Sequence, residues 1–403
     1  MKPVFKPVLL AATLALLAAP AIAQTPAAPA TGMAAPQAMQ AATAVAPAMV
    51  VKHYANLVHA TYEDTLASAV LMQKAIQAFI DKPSDEGLKA ARKAWLDARE
   101  FYGQTEAFRF YSGPIDDKNG PEGQINAWPM DESYVDYVKD APNGGIINKK
   151  SAITKKALAS LNEKNGEENI ATGWHAIEFL LWGQDLSTSG PGERSFEDFV
   201  DGKKPNADRR RLYLKTVTEL LVDDLGFLSK AWAPGAKNYR AKFEAGNLES
   251  VRKMFVGLGS LSRGELAGER LEVALASQAQ EDEHSCFSDN THRDVVNNAK
   301  GIQNVWLGSY KRADGTTLLG PSLRDLVAVK NAALADKTSK QIAESVSAAE
   351  GIQAPFDREI VGAKDAPGRL RVQKTIASLV QQSKDLVDAA NAAGISKLTL
   401  VKP

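Results

Sequence analysis

The chain has 403 residues, 48 basic and 48 acidic side chains, and a single cysteine, Cys286. That length allows one large domain or two to three ordinary ones, with a sizeable core. The balanced charge leaves no electrostatic footprint for nucleic acid. One cysteine excludes an intramolecular disulfide, and Cys286 is most simply a small buried residue.

In chain order, Lys2 and Lys6 precede the apolar run "VLLAATLALLAAPAIA", which closes on Ala21-Ile22-Ala23. A short basic region, an apolar stretch too short for a comfortable span and an A-x-A site predict a secretory signal peptide over 1–23. Cleavage there leaves 46 basic against 48 acidic residues, a net charge of −2. No cysteine stands at that site to carry a lipid. No later stretch reaches ~18 consecutive apolar residues, so no transmembrane span is expected. An exported chain without disulfides suits the bacterial periplasm, either free or associated with the outer membrane. Residues 24–48 are rich in Ala and Pro and uncharged, which predicts a flexible tether.

From about residue 50 to Ile80 apolar residues recur at three- and four-residue spacing (Leu57, Tyr62, Leu66, Val70, Leu71, Ile76, Phe79), which predicts a long helix. Pro83 and Ser84 stop it and cap a second, over about 85–111, which Gly113-Pro114 ends. Residues 113–150 are irregular, and a segment that long inside a compact domain is usually functional or disordered. Its aromatic-rich "INAWPMDESYVDYV" argues against disorder. Helices follow at about 151–163 and 167–182, the latter closed by Gly183. After a Gly/Pro/Ser-rich loop at 187–206 a further helix contains "RRRLYLKTVTELLVDDLGFLSKAW". Others are predicted at about 247–284, 292–307, 321–348 and 368–391. No convincing period-two run predicts a strand, so the fold class is all-α, built from antiparallel helical bundles.

Residues 173–183, "GWHAIEFLLWG", align with 298–308, "NAKGIQNVWLG", pairing Ile177 with Ile302, Leu180 with Val305 and Gly183 with Gly308. "FRFYSGPID" (108–116) aligns loosely with "HSCFSDNTH" (284–292). This repeat predicts an internal duplication: two homologous bundle halves, 49–190 and 191–403, joined near 187–208. Lys300 and Gln303 stand where the first copy has His175 and Glu178, so the apolar scaffold repeats and the polar pair does not.

His175 and Glu178 lie three apart in one of the most apolar runs of the chain, and that spacing puts both on one helix face. A glutamate there is costly unless it is ionised with a partner or hydrogen-bonded. The pair is then either a buried structural contact or half of a metal site, and imidazole with carboxylate suits zinc, iron or manganese. The order is the reverse of the Glu-x-x-His pairing of di-iron bundles. Neither His-Glu-x-x-His nor His-x-x-Glu-His occurs, and none of the other histidines (His53, His59, His284, His292) is within a turn of His175. A zinc hydrolase site would have to assemble from distant segments. Glu106, flanked by Phe108 and Phe110, is the best further ligand candidate. Glu63 faces inward if Tyr62 and Leu66 do, and Asp116 follows the Gly-Pro turn. For each, a solvated acid or a helix cap is the competing reading. "QEDEHSCFSDNTHRD" (280–294), with Glu283 and His292, is either a capped helix junction or the second half's contribution to the same cleft. Trp95 and Arg99, four apart in "WLDAR", look like an aromatic–cation packing pair.

With these residues the sequence resembles the imelysin family of exported bacterial proteins. The likeness runs over about 50–390 and rests on "AWLDAREFYGQTEAFRFYSGPID", "INAWPMDESYVDY", "GWHAIEFLLWGQD" and "QEDEHSCFSDNTHRD". Gly173, His175 and Glu178 match the family's Gly-x-His-x-x-Glu signature. Glu106 stands where related iron-uptake proteins carry a glutamate thought to help bind metal. The resemblance implies a duplicated helical-bundle fold and a metal site with His175, Glu178 and Glu106; the residue-level reading adds Glu63 as a candidate fourth ligand and Asp116, Glu283 and His292 as further binding candidates. Iron is the implied metal, with zinc as the alternative, and the partners are a metal ion, an iron carrier or a cell-envelope protein. The family is classified among metallopeptidases, so a zinc-dependent peptidase stands as the rival function, and a metal-free interaction module as a third.

Overall fold

Between Pro47 and Asp81 no residue interrupts helix formation, and the segment is one helix of 35 residues, α1 (Pro47–Asp81), with proline in its first turn where no amide partner is needed. The structure, a computed structural model, describes residues 45–401. The predicted signal peptide and all but the end of the predicted tether lie outside these residues. Ser84 caps α2 (Asp85–Thr105), accepting the Gly87 amide at 3.1 Å, and Asp85 and Glu86 complement the helix dipole. Three connecting residues make α1 and α2 antiparallel neighbours. With α3 (Gly173–Trp182) and α4 (Ala207–Trp232) they form one packed group. A second group contains α5 (Leu248–Ser260), α6 (Thr291–Leu307), α7 (Ala332–Glu350) and α8 (Pro367–Ala392). The backbone of α5 continues through a π-helical stretch, Leu261–Glu272, to Ser277. Among the described residues a single hairpin, β1 (Ser309–Lys311) and β2 (Thr317–Leu319), pairs antiparallel with Ser309 opposite Leu319. Its strands of three residues are too short to show alternation.

The helical assignment holds, and the boundaries shift for local reasons. The predicted helix over 85–111 stops at Thr105 and tightens into one 3-10 turn, Glu106–Phe108. Asp116 then accepts the Phe110 amide and, at 2.7 Å, the Gly113 amide, so these groups close a turn instead of extending the helix. The predicted helix over 167–182 starts only at Gly173, whose φ of +82° cannot lie inside a helix. The predicted helix over 151–163 contracts to Lys155–Leu161, capped by Thr154. Leu71, on the apolar list for α1, is 63% exposed.

The two groups meet closely. A Cβ at Gly103 of α2 would stand 2.7 Å from Cβ of Asn297, and one at Gly301 of α6 would stand 2.4 Å from the Gln104 carbonyl oxygen. Glycine on both helices lets their backbones approach beyond what a side chain allows. Helices from either side of residue 190 thus pack directly on each other, α2 on α6, and α1 on α4 and α5.

The segment 113–150 is ordered by short helices, Glu122–Asn126 and Glu132–Val135, and by burial of Ile115, Ile125, Val135, Ile146 and Ile147. Asp136 anchors it. Its fully buried carboxylate accepts from Arg194 at 2.7 Å and from Arg210 at 2.7 and 3.0 Å, and Arg210 also donates to the Asp198 carbonyl at 2.6 Å. Removing the acid strands two buried guanidinium groups, and breaking such a network costs about 3–5 kcal/mol. Asp136→Ala is therefore expected to lower the free energy of urea unfolding by that amount; a loss below about 1 kcal/mol would show that the network does not anchor the segment.

Candidate metal centre

All ten residues of α3 are buried. Gly173 opens the helix in the left-handed region, and a Cβ there would stand 2.3 Å from the Ile125 carbonyl oxygen. No other residue fits that contact without moving the backbone. Two residues on, His175 Nδ1 lies 2.9 Å from Glu178 Oε2. The other Glu178 oxygen accepts the Ser288 amide at 3.0 Å and the Ser288 hydroxyl at 2.6 Å. His175 is 1% exposed and Glu178 is fully buried. The second ring nitrogen, His175 Nε2, has no hydrogen-bond partner among the described residues.

A second histidine comes from the loop before α6. The His284 ring centroid is 4.7 Å from that of His175, edge to face at 74°. Its Nδ1 is held 2.8 Å from Asp294 Oδ2, which also accepts the Ser285 hydroxyl at 2.5 Å. The other Asp294 oxygen accepts from Arg99 at 2.8 and 3.2 Å, and Arg99 donates on to Asn126 at 2.8 Å. His284 Nε2 faces the Asn126 amide at 3.5 Å, a marginal contact. Glu106 stands nearby, its charge acting on both rings. One of its oxygens, Oε2, accepts from Arg109 and Arg270, each at 2.7 Å. The other, Oε1, is buried without a partner.

Burial dominates the electrostatics. It lowers His175 to about 3, helped by the Arg99 charge, and lowers His284 to about 3, helped by Arg270. Both rings are neutral at physiological pH. Burial raises the Glu178 carboxyl to about 8. Burial also works to raise Glu106 and Asp294, but the arginines beside them win and hold both ionised, well below the usual carboxylate range. With Glu178 ionised, the state a bound cation favours, a neutral imidazole that donates Nδ1–H to it leaves Nε2 with a free lone pair, the arrangement in which histidines ligate metals. Two buried donor atoms of this region have no protein partner among the described residues, His175 Nε2 and Glu106 Oε1, and the second imidazole lies against the first.

The structure brings His175, Glu178 and Glu106 into one buried region and leaves other candidates apart. Glu63 is half exposed on α1, 3.6 Å from His59 and 3.2 Å from Arg312. Asp116 closes the turn described above. His292 sits in the first turn of α6, its Nδ1 3.0 Å from the Asp289 carbonyl oxygen. Glu283 is fully buried, but among other acids rather than beside His175. Cys286 is half-buried, and burial pushes its thiol up. His284, Arg99, Asp294 and Arg270 are the partners that sequence reasoning missed. The polar density of 280–294 marked the right loop without saying which histidine turns inward.

A mostly helical chain that buries a histidine–carboxylate pair between two helix groups defines a class of helical protein with an interior polar centre. The chain belongs to the imelysin family, whose model, described as Imelysin, matches residues 58–386. It is 26% identical over 329 residues to the iron-regulated protein A of Synechococcus elongatus, covering 79% of each chain. Its fold is similar to that of a crystal structure from Parabacteroides distasonis assigned as an iron-regulated protein A precursor (TM-score 0.68, 19% identity, 86% of this chain and 94% of that one). It is also similar to an imelysin-like protein from Psychrobacter arcticum (TM-score 0.60, 15% identity, 87% of this chain and 96% of that one).

The downward shifts of the two histidines have a direct readout. In histidine-labelled protein, the ring signals lost in His175→Gln and His284→Gln are expected to remain those of neutral imidazole from about pH 8 to about pH 5. A midpoint between about 6 and 7 for either ring would show that it is solvated rather than buried.

Proposed function

We propose that the protein is an exported metal-binding protein of iron acquisition that captures or passes on iron through its buried histidine–carboxylate centre. The observation that carries this reading is the pair of buried, unpartnered donor atoms, His175 Nε2 and Glu106 Oε1. A buried lone pair without a hydrogen-bond donor is costly, and coordination to a cation relieves that cost. His175 and Glu106 are the ligands the donor chemistry favours, and His284 is the third. Glu178, with both oxygens engaged, serves best by orienting His175 and keeping the proton on Nδ1, although a carboxylate retains lone pairs for a metal. Imidazole with carboxylate, without thiolate, suits iron before softer metals, and zinc remains chemically compatible. The name of the cyanobacterial relative, iron-regulated protein A, supports the link to iron. The basic and apolar opening of the sequence supports export to the periplasm.

The peptidase alternative is less well supported. His175, Glu178, His284 and Glu106 are each at most 1% exposed, so a polypeptide has no access to them in this arrangement. An ion, or a small carrier that releases one, asks far less of the fold. We further infer that the two halves, 49–190 and 191–403, descend from one duplicated unit. The aligned glycines support this, since Gly183 and Gly308 both close their helices with positive φ, 76° and 60°.

Calorimetric titration of demetallated protein with ferrous iron, under anaerobic conditions, and with zinc tests the reading. The parent is expected to bind one ion. His175→Ala and Glu106→Gln are expected to weaken binding by more than about 100-fold, and Glu178→Gln by about 10–100-fold, the usual effect of losing a ligand's orienting partner. Parent-like affinity in both His175→Ala and Glu106→Gln would end the proposal.

A further inference from the structure

A second group of acids lies beyond Ser288, and nothing in the centre described above uses it. The side-chain oxygens of Asp185, Asp289 and Asp357 lie within 4.8 Å of one another. The Glu283 carboxyl adjoins those of Asp357 and Asp289. Glu283 is fully buried, Asp357 is 3% exposed and Asp289 is 7% exposed. Both oxygens of all three are without a hydrogen-bond donor among the described residues. Only Asp185 has donors, the Ser187 amide at 2.9 Å and the Gln280 side chain at 2.5 Å.

We propose that Asp185, Glu283, Asp289 and Asp357 form a calcium site, separate from the His175 centre. Acids this close repel one another, and burying them without a counter-charge costs more than any packing they provide. The spacing is the one a shared ion sets. Oxygens that ligate calcium at about 2.3–2.6 Å stand no more than about 5 Å apart. The donors are all carboxylate oxygens, which favours a hard cation over zinc or a softer transition metal. Calcium accepts six to eight oxygens in flexible geometry, whereas magnesium demands a near-ideal octahedron and keeps its waters. Four carboxylates from three separate stretches of chain match the former. Protonation is the alternative way to relieve the repulsion. Burial, then the neighbouring acids, push Glu283 up to about 10 and Asp289 up to about 8, and burial raises Asp185 to about 6. A cation displaces those protons. Entry is open from a groove of about 670 Å³ in which Asp289 lies beside Ser288, His292 and Pro355.

The site would tie together the loop after α3, the loop before α6 and the short helix Asp357–Ile360. It is tested on the full chain after EDTA treatment, by calorimetric titration and thermal unfolding with CaCl2 and, separately, MgCl2. The parent is expected to bind one calcium and to gain about 3 °C or more in melting temperature at saturation, with magnesium giving much less. Asp289→Asn/Asp357→Asn is expected to show no heat of calcium binding and a melting temperature independent of calcium. His175→Ala is expected to bind calcium as the parent does, which keeps this test independent of the iron proposal. Absence of both heat and thermal shift in the parent would overturn the assignment whatever the variant does, as would parent-like binding in the double variant or an equal response to magnesium.

Discussion

Arg99 carries a full positive charge at the centre of the molecule, 1% exposed, and the surrounding helices are arranged to keep that charge paired. Its guanidinium lies 5.5 Å from the ring of Trp95, 5.2 Å from Tyr102 and 5.6 Å from Trp174, and its donors run to Asp294 and Asn126. A buried guanidinium is tolerable only with such partners. Meeting that demand fixes much else. Asp294, ionised against Arg99, also takes His284 and so sets the orientation of its ring. Asn126, held by Arg99, sits beside Ile125, whose carbonyl oxygen excludes any side chain at Gly173. The positions of both histidines thus trace back to one charge.

That arrangement requires α2 and α6 to approach closely, since Arg99 and Asp294 lie on opposite helices. Gly103 and Gly301 make the approach sterically feasible. The same crossing brings Asn298 to the Gly103 carbonyl at 3.0 Å and places Arg270 between Asn298 and Glu106. A polar interior on this scale is unusual for a bundle and adds little net stability. What it provides is a set of fixed donors and acceptors around two neutral rings, the kind of pre-organisation an ion site needs.

The helices were legible because burial repeats with the helical period, and the His175–Glu178 pair because two polar residues interrupt an apolar run. The remainder was not, because its contacts join residues far apart in sequence. Arg99 and Asp294 are separated by 195 positions, and Glu106 and Arg270 by 164. No local spacing encodes them. Trp95 and Arg99, read as a packing pair, do touch, but the pair says nothing of the aspartate that Arg99 meets. The 280–294 loop likewise holds both His284 and His292, and the ring that lies against His175 is that of His284. Both sit among polar neighbours in the sequence, and it is the contact with Asp294, ten positions on, that accompanies the burial of His284. The contrast between His175 and its aligned partner also has a plain origin. Lys300, opposite His175 in the alignment, lies near the surface and pairs with Glu350 at 3.2 Å.

Ser288 and Asp289 join the two polar regions of the molecule. Ser288 gives both its amide and its hydroxyl to Glu178, while the next residue turns its carboxylate into the acid cluster. Where Asp289 sits therefore determines where Ser288 sits, and Ser288 determines whether Glu178 can hold His175 in place. The carboxylate cluster and the imidazole centre are thereby joined through adjacent residues of one loop, the cluster through Asp289 and Glu178 through Ser288.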